Sequence, residues 1–402
     1  MKEKKTFWFI NQYAGSPVHG MEYRHFYLGK ELIRAGHEVV IISGSFSHLH
    51  KQRPAIDGLY SLENIDGIKY CWLQTPPYVK SISLGRLKNM YMFKNNLQKL
   101  PLTDMPQPDA VVVSSPSMLP VIFAKKICKK FKAKLIFEIR DIWPLTLREI
   151  GNLSSFHPLV MYMKYYEKYG YKHADFVVSL LPDASEYYEK CGMKKEKFRY
   201  IPNGIDPTLW ENTCDTKIDF NIPEKKFIVG YAGTLGVANA LDFFVLAAQL
   251  LREREEIHFV IAGDGGEKES LKAMSDSLHN LTFVDAVPKS SVPALLEQFD
   301  VCYIGLRNEP LFRFGVSPNK LFDYMMAAKP VIYAIGSSNK PVDEAECGIT
   351  IPPGSPEAIA EAVLSIYKMT NEERNSMGQK GKNYVLKNHA YETLAQKYQV
   401  LV

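Results

Sequence analysis

Short apolar runs alternate with amphipathic segments twice along the chain, and this doubled rhythm constrains the fold more than any other feature. In the first half, Phe7–Ile10, Val39–Ile42, Ala110–Val113, Leu135–Ile139 and Phe176–Ser179 are near-continuous apolar runs, as in parallel strands buried on both faces. Between them the spacing predicts helices over about Glu22–Ala35, Met118–Phe131, Leu159–His173 and Ala184–Cys191. In the second half the predicted strands are Phe227–Tyr231, His258–Ala262, Thr282–Val284, Val301–Ile304, Val331–Tyr333 and Ile349–Ile351. Helices are expected near Ala240–Leu251, Glu269–Ser277, Val292–Phe299, Pro318–Ala328 and Pro356–Met369. Strands alternating with helices of this length form βαβ units and doubly wound sheets. The rhythm pauses from Tyr200-Ile-Pro-Asn-Gly-Ile-Asp-Pro to Lys226, where proline, Asn-Gly and charge make a linker. The expectation is an α/β chain with two Rossmann-like domains, 1–204 and 205–387. The last helical stretch, Ala390–Val400 within about 388–402, is expected to fold back on the first domain.

An apolar fraction of 46% excludes a disordered chain. The net charge of +5 hides a division. Residues 1–204 hold 30 Lys/Arg against 18 Asp/Glu, and residues 205–402 hold 19 against 26. The excess clusters twice. Lys80, Arg86, Lys88, Lys94 and Lys99 alternate with Tyr78, Leu84, Leu87, Met90, Tyr91, Phe93 and Leu97, while Lys125, Lys126, Lys129, Lys130, Lys132 and Lys134 follow a helix. Basic helices with apolar faces suit an anionic membrane surface. Nucleic acid is the competing anion, but no recognition motif for it is present, and none is expected as partner. Solvated charge around core aromatics is the plain alternative. The six cysteines (Cys71, Cys128, Cys191, Cys214, Cys302, Cys347) stand far apart with no Cys-x-x-Cys, as expected of free thiols in a reducing compartment. Phe7–Ile10 is too short for a signal-peptide core, and Ser and Pro interrupt Ala110–Ala124 well short of the roughly 20 apolar residues a span needs. The expected location is cytoplasmic, peripheral on the inner face of the cytoplasmic membrane.

In open α/β sheets ligands bind beyond the carboxyl ends of the strands. After the first strand, Gly15 and Gly20 precede a helix in Asn11-Gln-Tyr-Ala-Gly15-Ser-Pro-Val-His19-Gly20-Met-Glu-Tyr-Arg24, where backbone amides can approach an anion. The spacing is not Gly-x-Gly-x-x-Gly, so the dinucleotide fingerprint is absent, and an ordinary strand–helix turn would look the same. Two equivalent loops follow in the second half, Tyr231-Ala-Gly233-Thr234-Leu-Gly236 and Ala262-Gly263-Asp264-Gly265-Gly266. In Arg313-Phe-Gly315-Val-Ser317-Pro318-Asn319-Lys320-Leu-Phe-Asp323, Ser317 is placed as an N-cap and Pro318 as the first helical residue. Lys320 then lies in the first turn, where the helix dipole disfavours a cation unless an anion binds. Asp323, three residues on, shares its face and can accept hydrogen bonds from ribose hydroxyls. A capped helix with a Lys320–Asp323 surface pair explains the same residues. In the first half, Arg140-Asp141-Ile-Trp143-Pro144 ends a strand, as a site or as a local ion pair fixing the loop.

Taken in order, the N-terminal glycine loop to Arg24, ELIRAGHEVVII (Glu31–Ile42), IRDIWP (Ile139–Pro144), HADFVVSL (His173–Leu180), IPNGID (Ile201–Asp206), YAGTLG (Tyr231–Gly236), VIAGDG (Val260–Gly265) and SPNKLFDYMMAAKPVI (Ser317–Ile332) resemble retaining glycosyltransferases of family 4. The RDIWP and SPNKLFDYM variants resemble the branch that builds bacterial O-antigen, capsule and other surface polysaccharides. The resemblance implies the GT-B fold, two facing Rossmann-like domains with parallel doubly wound sheets. It also implies a nucleotide-sugar donor on the second domain and an acceptor on the first. Donor-binding positions are then Gly15, Gly20, Gly233, Thr234, Gly263, Val287, Arg313, Ser317, Asn319, Lys320 and Asp323. Acceptor-binding positions are Arg24, Arg140 and Asp141, and the catalytic set is Asp141, Arg140, His19 and Lys320.

The chain departs from the family in three places. The second glutamate of the Glu-x7-Glu motif is Asp323, and the first falls at Gly315. The family's basic pair after the second-domain glycine loop is missing from Gly236-Val-Ala-Asn-Ala, which makes Lys320 its candidate substitute, with Arg313 or Arg307 as helpers. The first-domain histidine is replaced by Arg140-Asp141. No Asp-x-Asp occurs, in keeping with transfer that needs no metal or other cofactor. The expected reaction moves a sugar, best an N-acetylhexosamine from its UDP form, to a polyprenyl-diphosphate-linked glycan. A GT-B nucleotide-sugar epimerase and a two-lobed sugar-binding protein are the alternatives.

Overall fold

The computed structural model describes residues 3–79, 83–211 and 218–402, so Lys80, Cys214 and part of the expected linker lie outside the described residues. The chain forms two units, Met1–Asn203 with Tyr391–Val402, and Gly204–Ala390.

The first unit contains β1 (Thr6–Ile10), α1 (Arg24–Arg34), β2 (Glu38–Gly44), β3 (Tyr60–Ile65), β4 (Ile68–Leu73), α2 (Leu84–Lys99), β5 (Ala110–Ser114), α3 (Val121–Phe131), β6 (Lys134–Ile139), α4 (Leu145–Glu149), α5 (Pro158–His173), β7 (Phe176–Ser179), α6 (Ser185–Lys190) and β8 (Phe198–Tyr200). Its sheet runs β3-β4-β2-β1-β5-β6-β7-β8. Every pairing is parallel except β3 with β4. That hairpin and β8 are additions to the five strands expected here. The central strands are the apolar runs, buried throughout, with Phe7 paired to Val39 on one side and Ala110 on the other.

The second unit contains α7 (Thr208–Glu211), β9 (Phe227–Ala232), α8 (Leu241–Leu250), β10 (Ile257–Ala262), α9 (Lys268–Ser275), β11 (Leu281–Val284), α10 (Val292–Glu297), β12 (Val301–Gly305), α11 (Asn319–Met326), β13 (Val331–Ala334), α12 (Pro341–Glu344), β14 (Gly348–Thr350), α13 (Pro356–Tyr367) and α14 (Asn371–His389). Its sheet, β11-β10-β9-β12-β13-β14, is parallel throughout. Side chains alternate along β9 into two cores: Ile228 joins Phe299, Leu321 and Met325, while Val229 and Tyr231 join Phe244, Tyr303 and Val363. The chain reverses its winding direction at β9, which opens a crevice beyond that strand's carboxyl end. The glycine loop Gly233–Gly236 lies there.

α15 (Tyr391–Gln399) belongs to the first unit, where Tyr391 stacks on Tyr27 of α1 at 5.2 Å. Five cysteines, Cys71, Cys128, Cys191, Cys302 and Cys347, are free thiols. Among the described residues no helix is long and apolar enough to cross a membrane.

Candidate functional site

The second unit's site begins with two loops bonded backbone to backbone. The Gly233 amide donates to the Ala262 carbonyl (2.9 Å) and that of Leu235 to Asp264 (2.8 Å). A Cβ at Gly263 would lie 1.9 Å from the Gly233 carbonyl oxygen, so this approach is open only to glycine. The Tyr231 hydroxyl donates to the Thr234 carbonyl (2.7 Å), and the Asn239 amide to the same oxygen (3.0 Å). α11 is tied to this loop through Tyr324, whose hydroxyl donates to the Ala232 carbonyl (3.0 Å) and accepts from the Ala232 amide (2.9 Å). Thr234 stands exposed at the loop's tip.

Lys320 extends from the first turn of α11 to this loop. Its Nζ donates to the Tyr231 hydroxyl at 2.7 Å and to Asn239 Oδ1, and lies 4.6 Å from the centre of the Tyr231 ring. A Cβ at Gly233 would come within 3.4 Å of that Nζ. Among the described residues no carboxylate pairs with Lys320, and burial pushes its pKa down to about 7. A cation held by neutral oxygens, beside exposed loop backbone and a helix N-terminus, fits an anionic ligand.

Asp323 has a different partner from the one its spacing suggests. Lys289 Nζ donates to both carboxylate oxygens, at 2.5 and 2.6 Å, so in place of the alternative Lys320–Asp323 surface pair stands Lys289–Asp323. Lys289 follows β11 in a polar stretch, and no sequence signal marked it. Val287, two residues earlier, packs against the core. The helix starts one residue later than predicted: Asn319, exposed, is its first residue, and Pro318, extended at ψ 123°, holds the N-cap position expected of Ser317. At Gly315 the backbone has φ +91°, a region that side chains strain against, so a glutamate does not fit this backbone.

The two helper arginines differ. Arg307, just after β12, packs against the loop that lacks the basic pair, its amide donating to Ala238 O (3.0 Å), its Nε to Val237 O (3.3 Å) and its Nη2 pairing with Asp242 (2.9 Å). Arg313 is exposed, with Nη1 on the Pro310 carbonyl (2.6 Å) and its guanidinium over Phe314.

In the first unit the Gly15–Gly20 loop closes on itself through a bridge between Ser16 and Gly20. His19 is turned inward and 3% exposed, with Nδ1 3.0 Å from Ser16 Oγ, Nε2 3.5 Å from Glu63 and its ring on Trp72. Burial pushes its pKa below the usual imidazole range. Its ring anchors the loop to the β3–β4 hairpin. Arg24 is likewise interior: Nε donates to Glu138 (3.0 Å), Nη2 to Ile201 O (3.0 Å) and Nη1 to Pro202 O (2.5 Å). Arg140 pairs with Glu22, not with Asp141. Ser115 Oγ accepts from the amides of both Arg140 (2.9 Å) and Asp141 (3.4 Å), which fixes the turn. Asp141 is exposed, and among the described residues its carboxylate has no ion-pair partner.

Comparison with known proteins extends this picture. Residues 18–209 match the family described as Glycosyltransferase Family 4, and residues 226–369 that described as Glycosyl transferases group 1. The putative colanic acid biosynthesis glycosyl transferase WcaI of Escherichia coli (strain K12) is 22% identical over 285 residues, 68% of this chain and 69% of that protein. Among solved structures, sucrose-phosphate synthase from Thermosynechococcus elongatus has a TM-score of 0.76 at 18% identity, covering 99% of this chain and 98% of that one. Anabaena HepE in complex with UDP and glucose has a TM-score of 0.65 at 13% identity, covering 98% of each chain. At these identities the structures establish the fold, two Rossmann-like domains of the GT-B type. Both matched families are transferases, which does not favour the epimerase alternative.

Proposed function

We propose that the chain, a GT-B fold matched by Glycosyltransferase Family 4 over residues 18–209 and by Glycosyl transferases group 1 over residues 226–369, is a glycosyltransferase that moves an N-acetylhexosamine from a UDP-sugar to a polyprenyl-diphosphate-linked glycan with retention at the anomeric carbon. Lys320 carries this reading. Breaking the bond between sugar and diphosphate leaves negative charge on the phosphate, and preorganised donors aimed at that charge are the largest lever a protein has. Lys320, the amides opening α11 and the exposed Gly233–Thr234 backbone supply them without a metal or cofactor. The bound UDP of HepE and the colanic acid role in the name of WcaI support the donor class and the pathway type. Attack by the acceptor hydroxyl on the leaving-group face, with the departing phosphate taking its proton, gives retention without an enzymatic nucleophile. Asp141, solvent-facing on the first unit, is the group that orients the acceptor hydroxyl. The working location is the cytoplasmic face of the membrane that holds the lipid acceptor.

A panel of UDP-, GDP-, ADP- and dTDP-sugars tests the donor, read by melting temperature. Ligand at about 100 times its Kd stabilises by about 2.7 kcal/mol, which is several degrees for a domain of this size. UDP-N-acetylhexosamines are expected to give the largest shift, and a larger shift from another nucleotide overturns the UDP assignment. The anomer of the product, and turnover in the presence of a chelator, test retention and metal independence.

Asp323 separates ribose from diphosphate recognition. Asp323→Ala is expected to weaken UDP by about 1.5 kcal/mol, roughly tenfold, through lost hydrogen bonds to a charged acceptor. Competition by inorganic pyrophosphate, which has no ribose, stays unchanged. Equal losses for both ligands would place Asp323 at the phosphates instead.

A further inference from the structure

Three helices on one face of the first unit's sheet are nearly free of negative charge. The crossovers β4–α2–β5, β5–α3–β6 and β6–α5–β7 all step in the same direction along the sheet, so right-handed connection puts α2, α3 and α5 on one face. Contacts agree: α3 packs on α5, and Tyr91 of α2 lies near enough to Tyr166 of α5 to raise its hydroxyl's pKa, after burial, Tyr162 and Tyr165. The three helices carry eleven Lys and Arg: Arg86, Lys88, Lys94 and Lys99; Lys125, Lys126, Lys129 and Lys130; Lys164, Lys168 and Lys172. Their one carboxyl group, Glu167, is fully buried under the Tyr171 and Tyr187 hydroxyls (3.3 and 3.2 Å). Burial pushes its pKa up to about 8, so it is mostly uncharged at neutral pH.

Large apolar side chains stand out among these cations. Phe156, just ahead of α5, is 82% exposed, Tyr165 60% and Met161 56%, and Tyr162 and Tyr91 are exposed as well. Lys94 lies over the Tyr91 ring at 4.8 Å. Carboxylates return at the borders, with Glu149 on α4, Asp175 after α5 (3.9 Å from Lys125), and Glu186 and Glu189 on α6.

We propose that the α2–α3–α5 face is a docking surface for an anionic lipid bilayer, with Phe156, Met161, Tyr162 and Tyr165 entering the headgroup region and the eleven cations lying over its phosphates. The proposal rests on the lipid-linked acceptor of the preceding section for its purpose, though its geometry is independent of the donor site. Charge complementarity selects an anionic partner, and the exposed, wholly apolar side chains of Phe156 and Met161 favour a lipid surface. Tyrosine and lysine that pair an apolar body with a polar tip suit a membrane interface.

The experiment is co-sedimentation of the full chain with vesicles of phosphatidylcholine alone and of phosphatidylcholine with phosphatidylglycerol. Binding is expected only to the anionic vesicles and is expected to fall with salt. Each cation near such a surface contributes about fivefold to partitioning, so Lys164→Glu/Lys168→Glu is expected to weaken binding by at least about tenfold. Phe156→Ser/Tyr165→Ser is expected to weaken it with little change in salt dependence. Arg252→Glu/Arg254→Glu, the same charge change on exposed residues of the second unit, leaves it intact. Absence of binding to anionic vesicles, binding indifferent to the face variants, or retention by DNA in place of vesicles overturns the proposal. The UDP melting shift, measured on the same variants without vesicles, reports separately on the donor reading.

Discussion

Replacing Lys320 by Ala weakens UDP by about 1.5–3 kcal/mol, a roughly 10- to 150-fold rise in Kd, through loss of charged hydrogen bonds. Pyrophosphate competition weakens in parallel, in contrast to Asp323→Ala. The site also fixes how affinity varies with pH. Burial without a carboxylate partner pushes the Lys320 pKa down to about 7, so the free protein loses this proton near neutrality. A diphosphate favours the ammonium and raises that pKa, so binding above about pH 7 takes up a proton. UDP affinity is therefore expected to fall as pH rises from about 7 to about 9, by up to tenfold per unit, in a range where the terminal phosphate of UDP is already ionised. Calorimetry in buffers of different ionisation enthalpy reads the proton directly. Lys320→Ala abolishes the dependence, and Lys320→Arg, charged throughout, flattens it while retaining part of the affinity. A Lys320→Ala protein that binds UDP as the parent does removes this residue from the site.

How much of this was legible depended on whether a feature is local. The central parallel strands announce themselves because burial on both faces demands continuous apolar runs, and Ala110–Ser114 and Ile257–Ala262 show it. The β3–β4 hairpin did not, because Tyr60–Ile65 lies at the sheet edge and is mostly half-buried, without a continuous apolar run. Its signal was the dipeptide Asp66-Gly67 at the turn, with φ +51° and +83°. Helix α14 is polar along most of its length, and its anchoring glycine Gly378 meets the Ala328 carbonyl, a contact no periodicity reveals. At the site, the position of Lys320 in a first helical turn was readable. Its partners Tyr231 and Asn239, more than eighty residues away in sequence, were not. His19 lies in a glycine loop and Arg24 just after it, but spacing does not say which side chains turn inward. For Arg24 one clue stood in plain view: Glu138 interrupts the strand Lys134–Ile139, and a carboxylate inside a buried strand needs a cation.

That pair explains why the chain's end returns to the first unit and makes the second large prediction. Glu138, wholly buried, accepts from Arg24 (3.0 Å) and Tyr398 on one oxygen, and from His25 (2.9 Å) and Ser114 (2.7 Å) on the other. One carboxylate thus joins α1, β5, β6 and α15, while Arg24 also holds the Ile201 and Pro202 carbonyls. Burial alone would raise the Glu138 pKa. Arg24, then His25 and the hydrogen bonds of His25 and Tyr398, outweigh it and hold the pKa well below the usual carboxylate range. Glu138→Gln leaves Arg24 buried without its counter-charge and is expected to cost about 3–5 kcal/mol in urea unfolding. Tyr398→Phe removes one of several donors and is expected to cost about 1–1.5 kcal/mol. Because the folded pKa is depressed, the contribution of Glu138 is complete above its unfolded value near 4.3 and is lost as pH falls from there towards the folded value. The stability gap between parent and Glu138→Gln is therefore expected to stay constant above about pH 5.5 and to narrow below about pH 4, at up to about 1.4 kcal/mol per unit. A gap that instead shrinks as pH rises above about 4.3 would mean that Glu138 is protonated in the folded protein, and Arg24 would then need another anion. Combining Arg24→Met with Glu138→Gln is expected to recover part of the loss, since it removes the stranded charge along with its partner.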